Sequence, residues 1–497
     1  MTGSKGEMIA AEYLSAQFRE LKLTRLFIDT VSEFFSEFWP SYKQRFRFLR
    51  GRELGDSNFV RISGMTLTDS YKPMEYSASK SVSGRLHQLN EITQDVSEAI
   101  VFTPWFESDP HSQDALTPRE LASDLAQKGA LAVIFTCDSS GTPYQPNYSL
   151  RVTSLPIPVL SDQCKSVIEL RPDVGASVSV DLVEVRGMGH NVASYINHKA
   201  AHTVIIGAHY DHLGWGEHGS LYRGESAIHN GADDNASGVA MVLELAKELR
   251  KKKYKKYNYL MVAFSGEELG LYGSTHFVNN LPIKPNNISF TLNFDMVGRY
   301  DSSRGLAING VGTSSVWPDV IKGISTEMKI VTSESGIGPS DHTPFYLKNI
   351  PVLHFFTGAH EDYHKPTDVA DKINYDGMMM IKDFVLRLIK ATDATDTLPF
   401  TKTQDSGGMN APRFTVTLGV VPDYLFDGVG MRISGVSDGK PASVAGLKEG
   451  DVIIKLGDFA VSDMMTYMEA LSRFRKGDTA TVIAKRGNDE LPFMVTF

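Results

Sequence analysis

The spacing of apolar positions changes several times along the chain, and each change marks a predicted element. Ala10, Tyr13, Leu14, Phe18 and Leu21 recur at helical spacing, which predicts an amphipathic helix over residues 6–21. An aromatic-rich segment follows, to residue 57. Between 58 and 170 the apolar runs are short (Ala99–Phe102, Leu131–Phe135 and Ile157–Leu160), with one helical stretch at 118–128, and predict a separate β-rich module. From 171 onward, strand-like and helical patterns alternate. Val204–Ile206, Tyr259–Phe264, Phe290–Phe294 and Val352–Phe356 read as buried strands. Val239, Val242, Leu243, Ala246 and Leu249 form a stripe on a helix over 236–250, and another helix covers Tyr375–Ala391.

This alternation predicts an α/β domain of three αβα layers around a mixed, largely parallel sheet, with reactive groups at the carboxyl ends of its strands. "TKTQDSGGMNAP", residues 401–412, is polar and without period, and reads as a linker. The expected organisation is 1–57 with 171–396 as the α/β domain, 58–170 as the β-rich insertion, 397–411 as the linker and 412–497 as a third unit.

Composition narrows the function classes. The 497 residues suit several domains, and 42% apolar with 22% charged residues suits a globular protein. A formal charge of -9 leaves no domain-wide basic excess for nucleic acid. No apolar run reaches the roughly 18 residues that span a bilayer. The run Lys251–Lys256 reads as a solvated helix end. Cys137 and Cys164 either pair or stay as two thiols. The opening "MTGSKGEMIAAEYLSAQF" lacks the order of a signal peptide.

The candidate chemistry sits just after the strands. "GAHYDHLG" carries His209 and Asp211, "NGADDNASG" carries Asp233 and Asp234, and "FSGEELGLYGS" carries Glu267 and Glu268. "NFDMVGR" carries Asp295, and "DYHKPTD" carries Tyr363 and His364. Each alone has an ordinary reading as an N-cap or a loop histidine. Together, so many carboxylates at one sheet edge would repel one another and lose their hydration unless divalent cations lay among them.

Charge balance favours two ions: two dications match three carboxylates and a bridging hydroxide, with neutral imidazoles completing the set. Mixed imidazole and carboxylate ligation favours Zn2+, with Co or Mn as substitutes. The side chains of Glu267 and Glu268 leave the backbone in different directions, so one can bind metal while its neighbour acts as a general base. Asp211, two residues after His209, is expected to accept the second imidazole N–H.

In order and spacing these motifs resemble the zinc aminopeptidase family that includes bacterial leucyl aminopeptidases and the glutamate carboxypeptidase group. "TGSKGE…AAEYL" is similar to that family's N-terminal signature. The resemblance implies His209 and Asp295 on one zinc, Glu268 and His364 on the other, and Asp234 bridging, with the role of Asp233 open. It implies Glu267 as general base, Asp211 as the histidine-orienting partner and Tyr363 as hydroxyl donor to the oxyanion. "SDHTPF", residues 340–345, is similar to family sequence near the substrate-binding side, where His342 either touches substrate or has a structural role, while His212, His218, His229 and His360 are supporting or surface residues.

Residues 58–170 resemble a protease-associated domain through "KGALAVIF" and "LPIPVL". Residues 412–497 resemble a PDZ domain through "VTLGVV" and "GKPASVAGLKEGDVIIKLGD", with Leu418, Gly419, Val420 and Val421 in the loop that would hold a peptide carboxylate. The combined expectation is an extracytoplasmic exopeptidase that removes N-terminal residues from peptides. A carboxypeptidase-type enzyme, a single-zinc glutaminyl cyclase and a non-catalytic receptor on the same plan are the alternatives.

Overall fold

The computed structural model describes the chain outside residues 33–34, 90–94, 105–117, 138–142, 147, 149–153, 165–169, 218, 223, 396, 404–415, 423–428, 437–438, 462–463, 472, 476 and 488. His218 and most of the expected linker therefore lie outside the described residues. The chain divides into two compact units. One comprises Met1–Phe46, Met188–Phe474 and Ala480–Phe497, the other Arg47–Gly187 and Arg475–Thr479.

The first unit is built on a large mixed sheet. Its order runs Thr24–Arg25, Leu182–Ile196, Asn258–Phe264, Thr203–His209, Ile288–Phe294, Val352–Phe356, Leu306–Asn309, Ile330–Ser333, with Lys43–Leu54 also paired to Leu182–Ile196. The four strands from Asn258–Phe264 to Val352–Phe356 are mutually parallel, so their carboxyl ends open on one edge. Every residue of these four is buried, as expected for strands covered on both faces.

Alternate side chains serve two cores. Val204, Ile206, Tyr259, Met261, Phe290 and Leu292 pack with the helices Lys5–Glu20, Gly238–Leu249 and Tyr375–Ala391. Ile205, Leu260, Val262 and Phe264 pack instead with Phe277, Val278 and Phe345 from the opposite layer. The helix expected over 236–250 begins at Gly238, because the side chains of Asn235 and Ser237 bond a neighbouring strand end. After it, the lysine run forms a short turn, Lys252–Tyr254, that buries Tyr254 and leaves its lysines exposed.

The C-terminal part of this unit has its own core of Leu418, Ile433, Ile453, Leu456, Val482 and Ala484. Leu418, expected in a ligand loop, is fully buried in that core. Gly419 has φ +73, and a Cβ there would meet Lys440 at 2.2 Å, so only glycine fits. Its N–H already donates to Thr417 Oγ1 at 2.9 Å, and Val420 opens the strand Val420–Pro422.

The second unit carries an eight-stranded sheet with cores on both faces. Ile100, Phe102, Ile134 and Leu160 point one way. Val101, Val133, Phe135 and Val159 point the other, onto Leu121, Ala122 and Leu125 of the helix Pro118–Gln127. The parallel strands Ala132–Thr136 and Val159–Asp162 end beside each other, and Cys137 and Cys164 just beyond them form a disulfide with a Cα–Cα distance of 5.7 Å.

One buried amide sets the loop after Asn258–Phe264. Asn191, with no exposed surface, accepts from Ser265 N at 3.2 Å and donates to Gly273 O at 2.8 Å and to Gln44 Oε1 at 3.0 Å. It spans both ends of the segment that holds Glu267 and Glu268. Asn191→Leu leaves buried backbone groups unpaired and is expected to cost about 3 kcal/mol of stability, read from the urea midpoint; a loss under about 0.5 kcal/mol would contradict this bridging role.

Candidate metal centre

His209 ends the strand Thr203–His209 and is 1% exposed. Its Nδ1 donates to the Asp211 carbonyl at 3.1 Å, which turns Nε2 toward Asp295 Oδ1 at 3.3 Å and Asp234 Oδ1 at 3.4 Å. Burial alone would lower this imidazole, but Asp295, Glu267 and Asp234 drive it well above its ordinary value. His364, φ +54, repeats the device: Nδ1 donates to Gly219 O at 2.8 Å, and Nε2 faces Asp234 Oδ2 at 3.2 Å and Glu268 Oε2 at 3.4 Å. Burial lowers His364, and Asp234 and Glu268 outweigh it, bringing it up to about 9.

These separations test the fit to an ion. Donors around a tetrahedral zinc, at about 2.0–2.1 Å from it, lie about 3.3–3.4 Å from one another. Asp234 turns one oxygen toward His209 and Asp295 and the other toward His364 and Glu268, as a bridging carboxylate must. Donor atoms of His209, Asp234 and Asp295 form one compact group, and those of His212, Asp234 and Glu268 form another. Burial raises Asp234, but the surrounding imidazoles of His364, His212 and His209 hold it below its usual range.

The segment Ala232–Ser237 is latched to the next strand end. Asp368 Oδ2 accepts from Asp233 N at 2.9 Å and Asp234 N at 3.1 Å. Asn235 donates to Phe294 O at 2.9 Å and accepts from Met296 N at 3.2 Å. Asp233 has no place among the donor groups: its Oδ1 accepts from Gly298 N at 2.6 Å and its Oδ2 lies 3.1 Å from His360 Nε2. Ser340 donates to Asp295 Oδ2 at 2.7 Å, leaving Oδ1 toward His209.

One expected contact is corrected by the geometry. The Asp211 carboxylate lies 3.8 Å from His209 Nδ1, too far for a hydrogen bond, because the Asp211 carbonyl takes that proton. The carboxylate instead accepts from Glu267 N at 3.1 Å and from the Thr2 hydroxyl at 2.9 Å, while Ser265 donates to Thr2 Oγ1 at 3.1 Å. His342, expected either at the substrate or in a structural role, is 1% exposed and stacks on His354 at 4.5 Å; burial holds it well below its ordinary value.

Glu267 is raised well above its usual range, first by burial and then by Asp295, Asp341 and Glu268, against the lowering influence of His209. Tyr363 stacks on His364 at 3.9 Å and packs by Met296, Ala307 and Phe356. Asp341 is a carboxylate of the same pocket that sequence reasoning passed over; burial, then Asp211 and Asp295, bring it up to about 7 against the lowering effects of His209 and Ser274. Thr2, Asp368 and Ser340 were also missed. Of these, Thr2 and Ser340 stand inside motifs that carry the family likeness, and Asp368 closes "DYHKPTD".

Residues 191–389 match the model of Peptidase family M28, and residues 400–496 match the PDZ domain. Aminopeptidase YwaD of Bacillus subtilis is 27% identical over 290 residues, which are 55% of this chain and 60% of that protein. Leupeptin-inactivating enzyme 1 of Streptomyces exfoliatus is 37% identical over 144 residues, 29% of this chain and 32% of that protein. The probable lipoprotein aminopeptidase LpqL of Mycobacterium tuberculosis is 28% identical over 291 residues, 50% of this chain and 54% of that protein. The chain thus spans less than two thirds of the length of each of these relatives. Among solved structures, an aminopeptidase from Aneurinibacillus sp. strain AM-1 is similar at 20% identity and TM-score 0.43, over 81% of this chain and 91% of that one.

The Thr2 hydroxyl is the one donor to Asp211 Oδ2 among the described hydrogen bonds. Thr2→Val should lower kcat about tenfold with KM little changed, and Thr2→Ser should restore it; peptide hydrolysis unaltered in Thr2→Val would remove Thr2 from the site.

Proposed function

We infer that this chain, through its Peptidase family M28 domain at residues 191–389, is a dinuclear zinc aminopeptidase that hydrolyses N-terminal residues from peptides. The observation that carries this reading is the placing of Asp234 between two sets of donors, Oδ1 facing His209, itself beside Asp295, and Oδ2 facing His364, itself beside Glu268. His209 and Asp295 would hold one ion, Glu268 and His364 the other, and Asp234 both. Bound zinc supplies Lewis acidity and acidifies a water molecule.

The protein's own groups do the rest. Glu267 takes the proton of the attacking water and returns it to the departing amine. Asp211 fixes the backbone of that base through the Glu267 amide. The Tyr363 hydroxyl donates to the tetrahedral oxyanion. The C-terminal module binds the carboxylate of a peptide chain by the mode its PDZ match supports, through backbone N–H groups of Leu418–Val421 other than that of Gly419, which Thr417 Oγ1 takes.

An extracytoplasmic location, periplasmic or secreted, is supported by the Cys137–Cys164 disulfide and by the lipoprotein in the name of one relative. Among the described residues no helix is long and apolar enough to cross a membrane.

Glu267→Gln should lower kcat by about two to four orders of magnitude while bound metal stays at the wild-type level; retained turnover would refute the base assignment. Direction of attack is read by offering aminoacyl anilides beside their N-blocked equivalents. Free-amine substrates alone should be cleaved, and equal cleavage of the blocked compounds would replace the aminopeptidase reading with another peptidase.

A further inference from the structure

We propose that His212 is a positioning residue for the second ion: its Nδ1–H holds Glu268 Oε1 and so reserves Oε2 for the metal. The inference rests on the dinuclear reading above. His212 directly follows Asp211 and is 8% exposed. Its Nδ1 lies 2.8 Å from Glu268 Oε1 and 3.8 Å from Asp234 Oδ2.

The first distance is that of an N–H···O bond and falls below the roughly 3.3 Å between donors that share one tetrahedral zinc. A carboxylate acceptor requires the proton on Nδ1, and Nε2 is then a buried acceptor without a partner among the described residues. The other oxygen, Oε2, is the one 3.4 Å from His364 Nε2, so the two histidines divide the carboxylate between them.

The ring has a built seat. A Cβ on Gly231, φ +64, would stand 2.8 Å from His212 Cγ and Cδ2, so that turn carries glycine and the imidazole packs on its backbone. The His364 ring stands edge-on at 5.8 Å on another side. Loss of this hydrogen bond frees Glu268 to turn either oxygen to the ion, or away from it, which weakens the second site and spares the first.

The test is a Co2+ titration of the metal-free full-length protein, followed by visible absorption. Wild type should take up two ions. His212→Ala should bind the second 10–100-fold more weakly, with the first unchanged. His212→Asn, whose amide N–H stands near the Nδ1 position, should recover affinity to within a few-fold and keep the wild-type spectrum.

Wild-type binding of the second ion by His212→Ala overturns the proposal and leaves the dinuclear reading intact. A His212→Asn protein as weak as the alanine variant, with an altered spectrum, overturns it in favour of direct imidazole ligation. Uptake of one ion by wild type overturns both readings. If His212→Ala does not fold, His212→Asn decides alone: two ions and an unaltered spectrum support the donor role, and a shifted spectrum refutes it.

Discussion

Mutual repulsion among buried carboxylates is the constraint on which the candidate metal centre depends. Asp211, Asp234, Asp295 and Asp341 are all nearly inaccessible to solvent or held against buried partners, and Glu267 and Glu268 stand beside them. Burial raises Asp211, Asp341 and Glu267 because the charged form has lost its water. Histidines alone are a poor remedy, since His209 and His364 commit Nδ1 to backbone carbonyls and present Nε2 to carboxylate oxygens. Divalent cations between those atoms would remove both the repulsion and the need for extra protons. Asp234, with one oxygen facing each group, would let two ions share the smallest set of acids.

The scaffold spends its polar interactions on the backbone and on the unused oxygens around these groups. Asp368 holds the amides that precede and include Asp234, Asn191 spans the glutamate loop, and Ser340 occupies the far oxygen of Asp295. Asp211 acts on Glu267 through its amide, at 3.1 Å. Each device fixes where a donor atom points before any ion or substrate arrives, so little reorganisation remains for the reaction. Glycines serve the same end where side chains crowd. Gly273, beside the glutamate loop, would place a Cβ 2.0 Å from Ser265 O.

Strands and helices with a clear period were legible because burial on two faces leaves a continuous apolar run, as in Tyr259–Phe264, and a one-sided helix leaves a stripe, as in Tyr375–Ala391. Helix onset at Gly238 was less legible, because Asn235 and Ser237 look like ordinary cap residues until the strand end they bond is known. His342 stood open between a substrate contact and a structural role, since a histidine before a short helix carries no sign of the His354 ring that covers it. Thr2 escaped notice for a related reason: its partners Asp211 and Ser265 stand more than two hundred residues away along the chain.

By itself the sequence determined which residue types follow each strand, and hence that acids and imidazoles gather at one edge of an α/β sheet. Strand period and strand end are local properties, written in consecutive residues. Tertiary structure decided what each oxygen and nitrogen faces: Asp234 toward both groups, Asp233 away from them, Asp211 onto the Glu267 amide, His212 onto Glu268. Those choices turn on angstrom-scale placement of atoms brought together from distant loops, and no spacing along the chain encodes a distance across a fold.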